Sequence, residues 1–502
     1  MKKLISNYYK IIVMIFGLIG ACQPVHAQSS SPFKPPEEKL GLYVINSGSG
    51  LDTGCSYRSQ GPLVINLEVP ATMNPEQLKV DGTLLDPDKL IEKKVIGSTA
   101  KISFPIFDID DKADMSGTGL QPEVDKIYFN DELIKTLSGF NNQWVNDSFV
   151  VDISKVKFNK TNQIKIEIDT ANASEIWCMA VDWVSIEFDA AIPYVLAHGI
   201  SSDASTWDDA DASGVLTTMN KSGVLYSRFS TGANGSVAAN AIDLKEQIKE
   251  NLLDKVKSDK VHIIAHSKGG LDSQALAKLS PPDFEVLSLS TLSTPHLGSV
   301  VANLQLLQRL KVDEYRNQGL DPNGYAQKFV SLGLAGWASN NVGAGPQPPG
   351  LNDLTTQAAT TGMIARIRGN VLNTYTIGAD AGPQCTRDPN NGEIDPLADA
   401  ARFGTRGYVY DALRLAYQII CNLSSAVMLE TKTISGFFGS TSVLVYKSNK
   451  LPTKQPNDIV VGIHSANPGW GTPLRNDVFT NHSKVKNFVN VDMFLEHTIK
   501  LR

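Results

Sequence analysis

The stretch Val261-His-Ile-Ile-Ala-His-Ser267-Lys-Gly-Gly-Leu-Asp272 decides the fold of this 502-residue chain. Its apolar beginning is typical of a buried strand, and the residues from Gly269 to Leu279 are predicted to form a helix. Ser267 therefore lies in a turn between a strand and a helix, with a small residue two positions before it and another two positions after it. Small residues let the two elements pass closely, and the helix N-terminus favours a developing negative charge. The pattern predicts that Ser267 is a nucleophile exposed above the end of the strand.

Apolar strands continue to alternate with helical segments on both sides of this turn, from residue 191 to the end of the chain. Strands alternating with helices predict a mostly parallel sheet that is covered on both faces, which is an α/β fold. The further predicted strands are Ile192–Ala197, Glu285–Leu292 and Val371–Ile377, and the further predicted helices are Ala238–Val256 and Lys484–Leu501.

The sheet pattern lapses in two places, at about residues 300–363 and 381–440. Val301–Leu310 and Leu397–Leu423 have helical, partly apolar patterns. Insertions above the strand ends commonly form a cap that shapes a substrate pocket. We therefore expect helical cap insertions there. Trp337 and Phe437-Phe438 either line that pocket or belong to the core.

The N-terminal half has a different periodicity. Over residues 40–190, short segments alternate between apolar and polar residues, as in Ile164, Ile166 and Ile168, and are separated by Asn, Asp and Gly. This alternation predicts an all-β sandwich domain ahead of the catalytic domain at 191–502. Residues 28–39 are rich in Ser and Pro and are interpreted as a linker.

Residues 1–27 have the organisation of a secretory signal peptide. Three lysines precede an apolar stretch, and small residues stand at the predicted cleavage site, Val25-His26-Ala27. The apolar stretch, Ile11–Ala21, is too short to span a bilayer. A second interpretation overlaps the first, because Ile19-Gly20-Ala21-Cys22 resembles a bacterial lipobox, which implies a lipid anchor at Cys22. We therefore expect a secreted, periplasmic or envelope protein.

Cysteine content agrees with export. Four cysteines remain after Cys22, and an even number in an exported chain favours two disulfides. The pairings that stay within one region of the sequence are Cys55–Cys178 and Cys385–Cys421, and the alternative is four buried thiols. The chain carries 46 basic and 52 acidic residues without a basic run, which gives no support for nucleic-acid binding.

Three blocks between residues 192 and 300 carry a family resemblance: Leu196-Ala197-His198-Gly199 with Trp207 downstream, Ala265-His266-Ser267-Lys268-Gly269-Gly270, and Ser293-Thr294-Pro295-His296-Leu297-Gly298. Together they resemble bacterial triacylglycerol lipases and their lipase-like relatives. The resemblance implies an α/β-hydrolase fold and hydrolysis of an ester or lipid substrate. An oxyanion needs two backbone N–H donors. One is expected from Lys268, after the nucleophile, and the resemblance assigns the other to Ile200. The Thr-Pro-His turn is interpreted as structural.

The catalytic histidine is sought late in the chain, because nucleophile, acid and histidine follow one another in this fold. His464, His482 and His497 are the late candidates. His497 lies near the end of the terminal helix, whereas His482 lies in a loop before that helix. The dipeptide Asn481-His482 also resembles the lipases, so His482 is the predicted base.

The acid remains open between two residues. Asn457-Asp458-Ile459-Val460-Val461 resembles the Asn-Asp-Gly-Val-Val segment of the lipases, which implies Asp458 as the acid, although Ile459 replaces the family's glycine. Asp380 follows a predicted strand and is the alternative. The family's calcium-binding Asp after the histidine is missing, so neither calcium nor any other metal or cofactor is expected.

The N-terminal half resembles a jelly roll of the galactose-binding type. Segments such as Ile127-Tyr128-Phe129-Asn130 and Asn162-Gln163-Ile164 carry this resemblance. That resemblance implies either contact with carbohydrate or a role in bracing the catalytic domain. The nearby aspartates lack the glycine and glutamate of a calcium loop and are interpreted as a solvated acidic turn: Asp108, Asp110, Asp111 and Asp114.

These observations favour a serine carboxylic ester hydrolase, a lipase or esterase that acts through an acyl-enzyme. An acyltransferase or amidase with the same triad is the second hypothesis. The third is a non-catalytic envelope-binding protein with a relic hydrolase fold.

Overall fold

The computed structural model describes residues 31–48, 50–57, 61–71, 79–80, 83–84, 87–111, 122–171, 178–299, 301–303, 306, 348–361, 371, 373–381, 425–436, 439–450 and 456–502. The signal peptide predicted for residues 1–27, the cap helix predicted at Leu397–Leu423 and the side chains of all five cysteines lie outside the described residues. Trp337 and Phe437-Phe438 also lie outside them.

The strands between residues 42 and 190 form antiparallel sheets. The strands are β1 (Leu42–Ile45), β2 (Asp52–Tyr57), β3 (Leu63–Val69), β4 (Lys79–Val80), β5 (Thr83–Leu84), β6 (Ile96–Phe107), β7 (Lys126–Phe129), β8 (Glu132–Thr136), β9 (Trp144–Asp152), β10 (Lys160–Glu167), β11 (Cys178–Val181) and β12 (Val184–Ala190), and the helix α1 (Pro87–Glu92) lies among them. One sheet has the strand order β1-β12-β6-β11-β2, with β9 paired to β6, and a second has the order β3-β10-β7-β8.

The alternating sequence pattern explains how these two sheets pack. In β10, Ile164 and Ile166 are buried while the lysine between them is half-buried, as expected when one face of a strand meets a core. Phe129 of β7 and Phe149 of β9 bring the two sheets together, with ring centroids 6.3 Å apart. The predicted division of the chain at residues 40–190 stays a prediction.

The strands of the following half are β13 (Tyr194–Ala197), β14 (Tyr226–Phe229), β15 (Lys260–His266), β16 (Glu285–Leu292), β17 (Asn373–Asp380), β18 (Ser425–Gly436), β19 (Gly439–Lys450) and β20 (Thr472–Val478). Six of them form a parallel sheet with the order β14-β13-β15-β16-β17-β20. The helices are α2 (Val215–Ser222), α3 (Val237–Ile248), α4 (Asp254–Val256), α5 (Lys268–Leu279), α6 (Pro349–Asp353), α7 (Thr356–Thr361), α8 (Ile463–Ala466) and α9 (Phe488–Thr498).

Both faces of the parallel sheet are covered by helices. Val195 and Ile263 face one side, where they share a core with α3 and α5. Leu196 and Ile264 face the other side, where they share a core with α2, α9 and the N-terminal sheets. Burial on both faces accounts for the unbroken apolar runs in the central strands.

The order of the strands positions a ligand site. The chain leaves β13 for β14 on one side and then forms β15 on the other side of β13. This reversal makes the carboxyl ends of β13 and β15 a topological switch point, where open α/β sheets bind ligands. Ser267 directly follows β15, and His198 and Gly199 directly follow β13.

The described part of the second predicted cap segment differs from the expectation. Its described residues are strand, and β18 and β19 pair in antiparallel fashion, with β19 reaching Lys450. The expectation of a helical insertion is therefore wrong for residues 425–436 and 439–440. In the first segment, the described residues 349–361 contain the short helices α6 and α7. No helix in the described ranges is long and apolar enough to cross a membrane.

Candidate active site

Ser267 occupies a strained turn between β15 and α5. Its backbone has φ 54° and ψ −128°. This combination lies outside the φ/ψ regions that residues other than glycine ordinarily adopt. The Ser267 N–H donates to the carbonyl oxygen of Leu292 on the neighbouring strand, at 2.9 Å. This bond holds the turn against the sheet.

Close packing around the turn requires glycine. A Cβ atom on Gly269 would lie 2.3 Å from the carbonyl oxygen of His198. A Cβ atom on Gly270 would lie 2.1 Å from Oγ1 of Thr294. Both separations are far inside van der Waals contact, so the glycines after Ser267 allow α5 to approach the loop after β13 and the turn after β16.

A chain of hydrogen bonds connects three of the predicted residues. Oγ of Ser267 lies 2.9 Å from Nε2 of His482. Nδ1 of His482 lies 2.7 Å from Oδ2 of Asp458. This arrangement can take a proton from the hydroxyl and stabilise the imidazolium that forms.

Asp458 is completely buried, and its other oxygen is held by the backbone. Oδ1 accepts the N–H groups of Val460 at 2.9 Å and Val461 at 2.7 Å. The carbonyl oxygen of Asp458 also accepts the backbone N–H of His482 at 3.0 Å. The acid and the histidine are therefore connected through both side chain and backbone.

Asp380, the alternative acid, ends strand β17 and is buried. Its carbonyl oxygen accepts the N–H of Thr480 at 3.0 Å, so it supports the loop that leads to His482. The acid that contacts Nδ1 of His482 is Asp458.

Ile459, which stands where the lipases have glycine, adopts φ 84°. This left-handed conformation favours glycine and is unusual for a β-branched residue. The N–H of Ile459 donates to Oδ1 of Asn457 at 2.9 Å. The backbone at position 459 thus has a conformation that suits glycine, although the residue there is isoleucine.

The loop of Asp458 is fastened to the turn after β16. Oγ of Ser299 donates to the carbonyl oxygen of Val460 at 2.6 Å. Oγ of Ser465 donates to the carbonyl oxygen of Gly298 at 2.7 Å.

His296 is fully buried between Thr291 and Gln274, with each contact at 3.1 Å, and burial lowers its pKa to about 3. These contacts give the Thr-Pro-His turn a structural role.

The two predicted oxyanion donors belong to the segments that follow β13 and β15. Lys268 is the first residue of α5, so its amide has no acceptor within the helix. Ile200 follows the turn after β13 and lines the same cavity as Ser267. The two amides belong to segments that lie close together because Gly269 has no side chain between them.

His198 organises the Ile200 loop. The N–H of Thr231 donates to its Nε2 at 2.9 Å, so the ring proton is on Nδ1, which donates to the carbonyl oxygen of Gly199 at 2.8 Å. Burial lowers the pKa of His198. A neutral His198 therefore fixes the peptide between Gly199 and Ile200.

The His266 ring, to which the sequence pattern gives no role, contacts the candidate base. Its Nε2–H donates to the carbonyl oxygen of His482 at 2.7 Å. Burial lowers the pKa of His266 well below its usual value, and the nearby charge of Lys486 lowers it further. The pairing joins residues 216 positions apart, so only the dipeptide His266-Ser267 was visible in the sequence.

The side chain of Lys268 also has a role that the sequence pattern does not indicate. Its Nζ lies 2.7 and 2.9 Å from the two carboxylate oxygens of Asp272, one helical turn later. Burial raises the pKa of Asp272 to about 6, and the charge of Lys268 opposes that rise. Asn240 completes the contact by donating to Asp272 at 3.1 Å, which ties α5 to α3.

A cavity of about 400 Å³ opens beside Ser267 and His482. One part of its lining is apolar and another is polar. The apolar residues include Val301, Ala302, Leu351, Leu354, Val460 and Val461, and the polar residues include Ser201, Ser202, Thr206, Asn234, Ser483 and Lys486.

Comparison with known proteins finds no family model that matches the chain. Over 73 residues, which are 14% of this chain and 22% of the relative, the sequence is 38% identical to triacylglycerol lipase 2 of Saccharomyces cerevisiae. The chain thus matches about a fifth of the yeast protein's length.

Two solved structures are similar at low sequence identity. The mature lipase BlEst2 of Bacillus licheniformis is 19% identical, with 62% of this chain and 92% of that chain covered and a TM-score of 0.38. The metagenomic carboxyl esterase MGS0156 is 15% identical, with 61% and 76% covered and a TM-score of 0.36.

Proposed function

We propose that this protein is a serine hydrolase of carboxylic esters, of the lipase or esterase type. The observation that carries the proposal is the hydrogen-bond chain from Asp458 through His482 to Ser267, with distances of 2.7 and 2.9 Å. The cavity beside it has an apolar wall that suits an acyl chain.

In the proposed mechanism, Oγ of Ser267 attacks the ester carbonyl carbon while Nε2 of His482 takes its proton. The amides of Ile200 and Lys268 stabilise the oxyanion. His482 then gives the proton to the departing alcohol, which leaves an acyl group on Ser267. His482 next activates a water molecule, whose attack releases the carboxylic acid and regenerates the serine.

The environment of His482 supports its place in this sequence of steps. Asp458 holds Nδ1 and thereby selects the tautomer whose Nε2 is free to accept the serine proton. His266 holds the backbone carbonyl of the same residue. The candidate base is thus restrained at its ring and at its main chain.

We further propose that the protein acts outside the cytoplasm, as a secreted, periplasmic or outer-envelope enzyme. The support is the signal-like sequence of residues 1–27 and the alternative lipid-anchor site at Cys22.

The N-terminal sheets are proposed to brace the catalytic half, because Oη of Tyr43 donates to the carbonyl oxygen of Val256 at 3.2 Å. Contact with carbohydrate is the other role open to them.

Turnover of p-nitrophenyl esters from acetate to palmitate tests the proposed function. Wild-type protein should hydrolyse at least part of the series, and Ser267→Ala should lose several orders of magnitude in kcat while keeping its circular dichroism spectrum. Adding an alcohol or amine acceptor and measuring transfer products separates hydrolysis from acyl transfer. Near-normal turnover by Ser267→Ala would overturn the proposal.

A further inference from the structure

Among the lysines of the catalytic half whose side chains the structure describes, two are buried, and they differ in how their charges are balanced. Lys268 is 1% exposed and paired with the carboxylate of Asp272. Lys486 is 4% exposed, and its Nζ donates to the carbonyl oxygen of Thr206 at 3.1 Å and to the Thr206 hydroxyl. Among the described residues, no carboxylate forms an ion pair with Lys486. Its partners there are neutral oxygens.

A buried ammonium without a carboxylate partner is costly, because burial removes its hydration. Burial lowers the pKa of Lys486 to about 8, Asp211 opposes that change, and Lys484 adds to it. The group therefore still carries its charge at neutral pH. After burial itself, that charge lowers the pKa of His266. Together with Lys268, whose effect is the larger, it also lowers the pKa of His198.

Lys486 lines the cavity that contains Ser267 and His482. It is the one charged side chain among the described lining residues apart from the titratable histidines, and no Asp or Glu is among them. An ammonium has three N–H donors, and Thr206 accepts two hydrogen bonds from Lys486. The polar part of the cavity therefore carries a positive charge, and among the described residues the third N–H of this ammonium has no acceptor.

We propose that Lys486 is the anion-binding residue of this cavity and selects esters that carry a carboxylate or phosphate group near the scissile bond. The inference rests on the proposed ester hydrolysis. In the bound state the anion supplies the opposite charge that the buried ammonium lacks, and charge-assisted hydrogen bonds are stronger than neutral ones.

The experiment compares matched pairs of esters that differ in charge. The carboxylate pair is mono-p-nitrophenyl adipate and methyl p-nitrophenyl adipate. The phosphate pair is monobutyryl glycerol phosphate and monobutyryl glycerol. For each pair the measured quantity is the ratio of kcat/KM for the charged ester to kcat/KM for its neutral partner, in wild type, Lys486→Met, Lys486→Arg and Lys484→Met.

Lys484→Met is the matched control, because Lys484 is an exposed lysine on the same loop. Wild type should prefer the charged ester in at least one pair, which also identifies the anion. Lys486→Met should lower that ratio about tenfold, while Lys486→Arg and Lys484→Met should retain most of it. Loss of the Thr206 contacts alone would slow both esters of a pair equally and leave the ratio unchanged.

Three outcomes overturn the inference. One is a wild-type ratio of one or less in both pairs, the second is an unchanged ratio in Lys486→Met, and the third is an equal fall in Lys484→Met. If Lys486→Met does not fold, the ratios of wild type and Lys486→Arg still decide. Failure of wild type to hydrolyse any ester would count against the proposed function, whereas hydrolysis without charge preference would count against Lys486 alone.

Discussion

His266 holds the backbone of His482, with its Nε2 2.7 Å from the carbonyl oxygen of His482 and the two rings 4.8 Å apart. The residue before the candidate nucleophile thus contacts the candidate base directly. Because this bond acts on the main chain, it restrains the position of the His482 ring without occupying either ring nitrogen.

His266→Phe should lower kcat about 10- to 100-fold, since small displacements of a catalytic group have effects of that size. Phe keeps the ring and removes the N–H donor. The expected change is in kcat rather than KM, measured on a neutral p-nitrophenyl ester. His497→Gln is the control, because His497 lies on the exposed side of α9 and should leave kcat unchanged. Equal effects of the two substitutions would refute this role for His266.

Asp458→Asn should reduce turnover by about 10⁴-fold if the acid behaves as in the serine proteases. Asn keeps the shape of the side chain but loses the charge that stabilises the imidazolium. Asp380→Asn should lose far less, because Asp380 accepts the N–H of Thr480 in this loop through its backbone carbonyl, which the substitution keeps. Steady-state kinetics on both folded variants checks the assignment, and a reversed order of effects would transfer the acid's role to Asp380.

Ile459 provides a test of the lipase-like acid loop that does not depend on activity. At ordinary positions Ala is more stabilising than Gly by roughly 0.4–1 kcal/mol, because Gly has more unfolded-state freedom. At φ 84° a side chain costs about 1–2 kcal/mol. Ile459→Gly should therefore be more stable than Ile459→Ala by about 1 kcal/mol in urea unfolding. Ala being the more stable of the two would show that the loop does not have this backbone conformation.

The acidic residues beside β6 and β7 make stability depend on pH. Glu123 and Asp125 are 1% and 0% exposed, and burial together with their mutual charge raises the pKa of Glu123. Burial likewise raises the pKa of Asp110 to about 6. A carboxyl with a raised folded-state pKa holds its proton more tightly when folded, so stability is lost as pH rises above its unfolded pKa.

Glu123→Gln should therefore raise the free energy of unfolding by about 1–3 kcal/mol at pH 8, with little change near pH 4, where the carboxyl is protonated in both states. Gln keeps an oxygen for the N–H of Asp110, which donates to Glu123 at 2.8 Å. Glu187→Gln is the control, because Glu187 is exposed on β12. Destabilisation of Glu123→Gln at pH 8 would contradict the assigned direction of the pKa.

The elements that the sequence predicted best are those buried on both sides. The predicted strand Glu285–Leu292 coincides with β16, and the apolar run from Val261 lies within β15. The two edge strands of the parallel sheet were not predicted, because β14 (Tyr226–Phe229) and β20 (Thr472–Val478) carry polar residues and lack such runs.

Roles that depend on distant contacts were also beyond the sequence pattern. Asp110 was interpreted as part of a solvated turn, yet it is buried, because its backbone N–H donates to the side chain of Glu123, thirteen positions later in the chain. The sequence around Lys486 resembles that of any loop lysine. Its contact with Thr206, which lies 280 positions away, appears only in the structure. Local patterns report periodicity and turns, but they do not report which loops meet above a sheet.

Labelling with a fluorophosphonate, followed by peptide mapping, tests the central claim most directly. The reagent phosphonylates an activated serine, and activation here requires the contact between Ser267 and His482. The label should map to Ser267 in wild type, should be absent from Ser267→Ala, and should form much more slowly in His482→Ala. A label on another serine, or a wild-type protein that is folded and unlabelled, would contradict it.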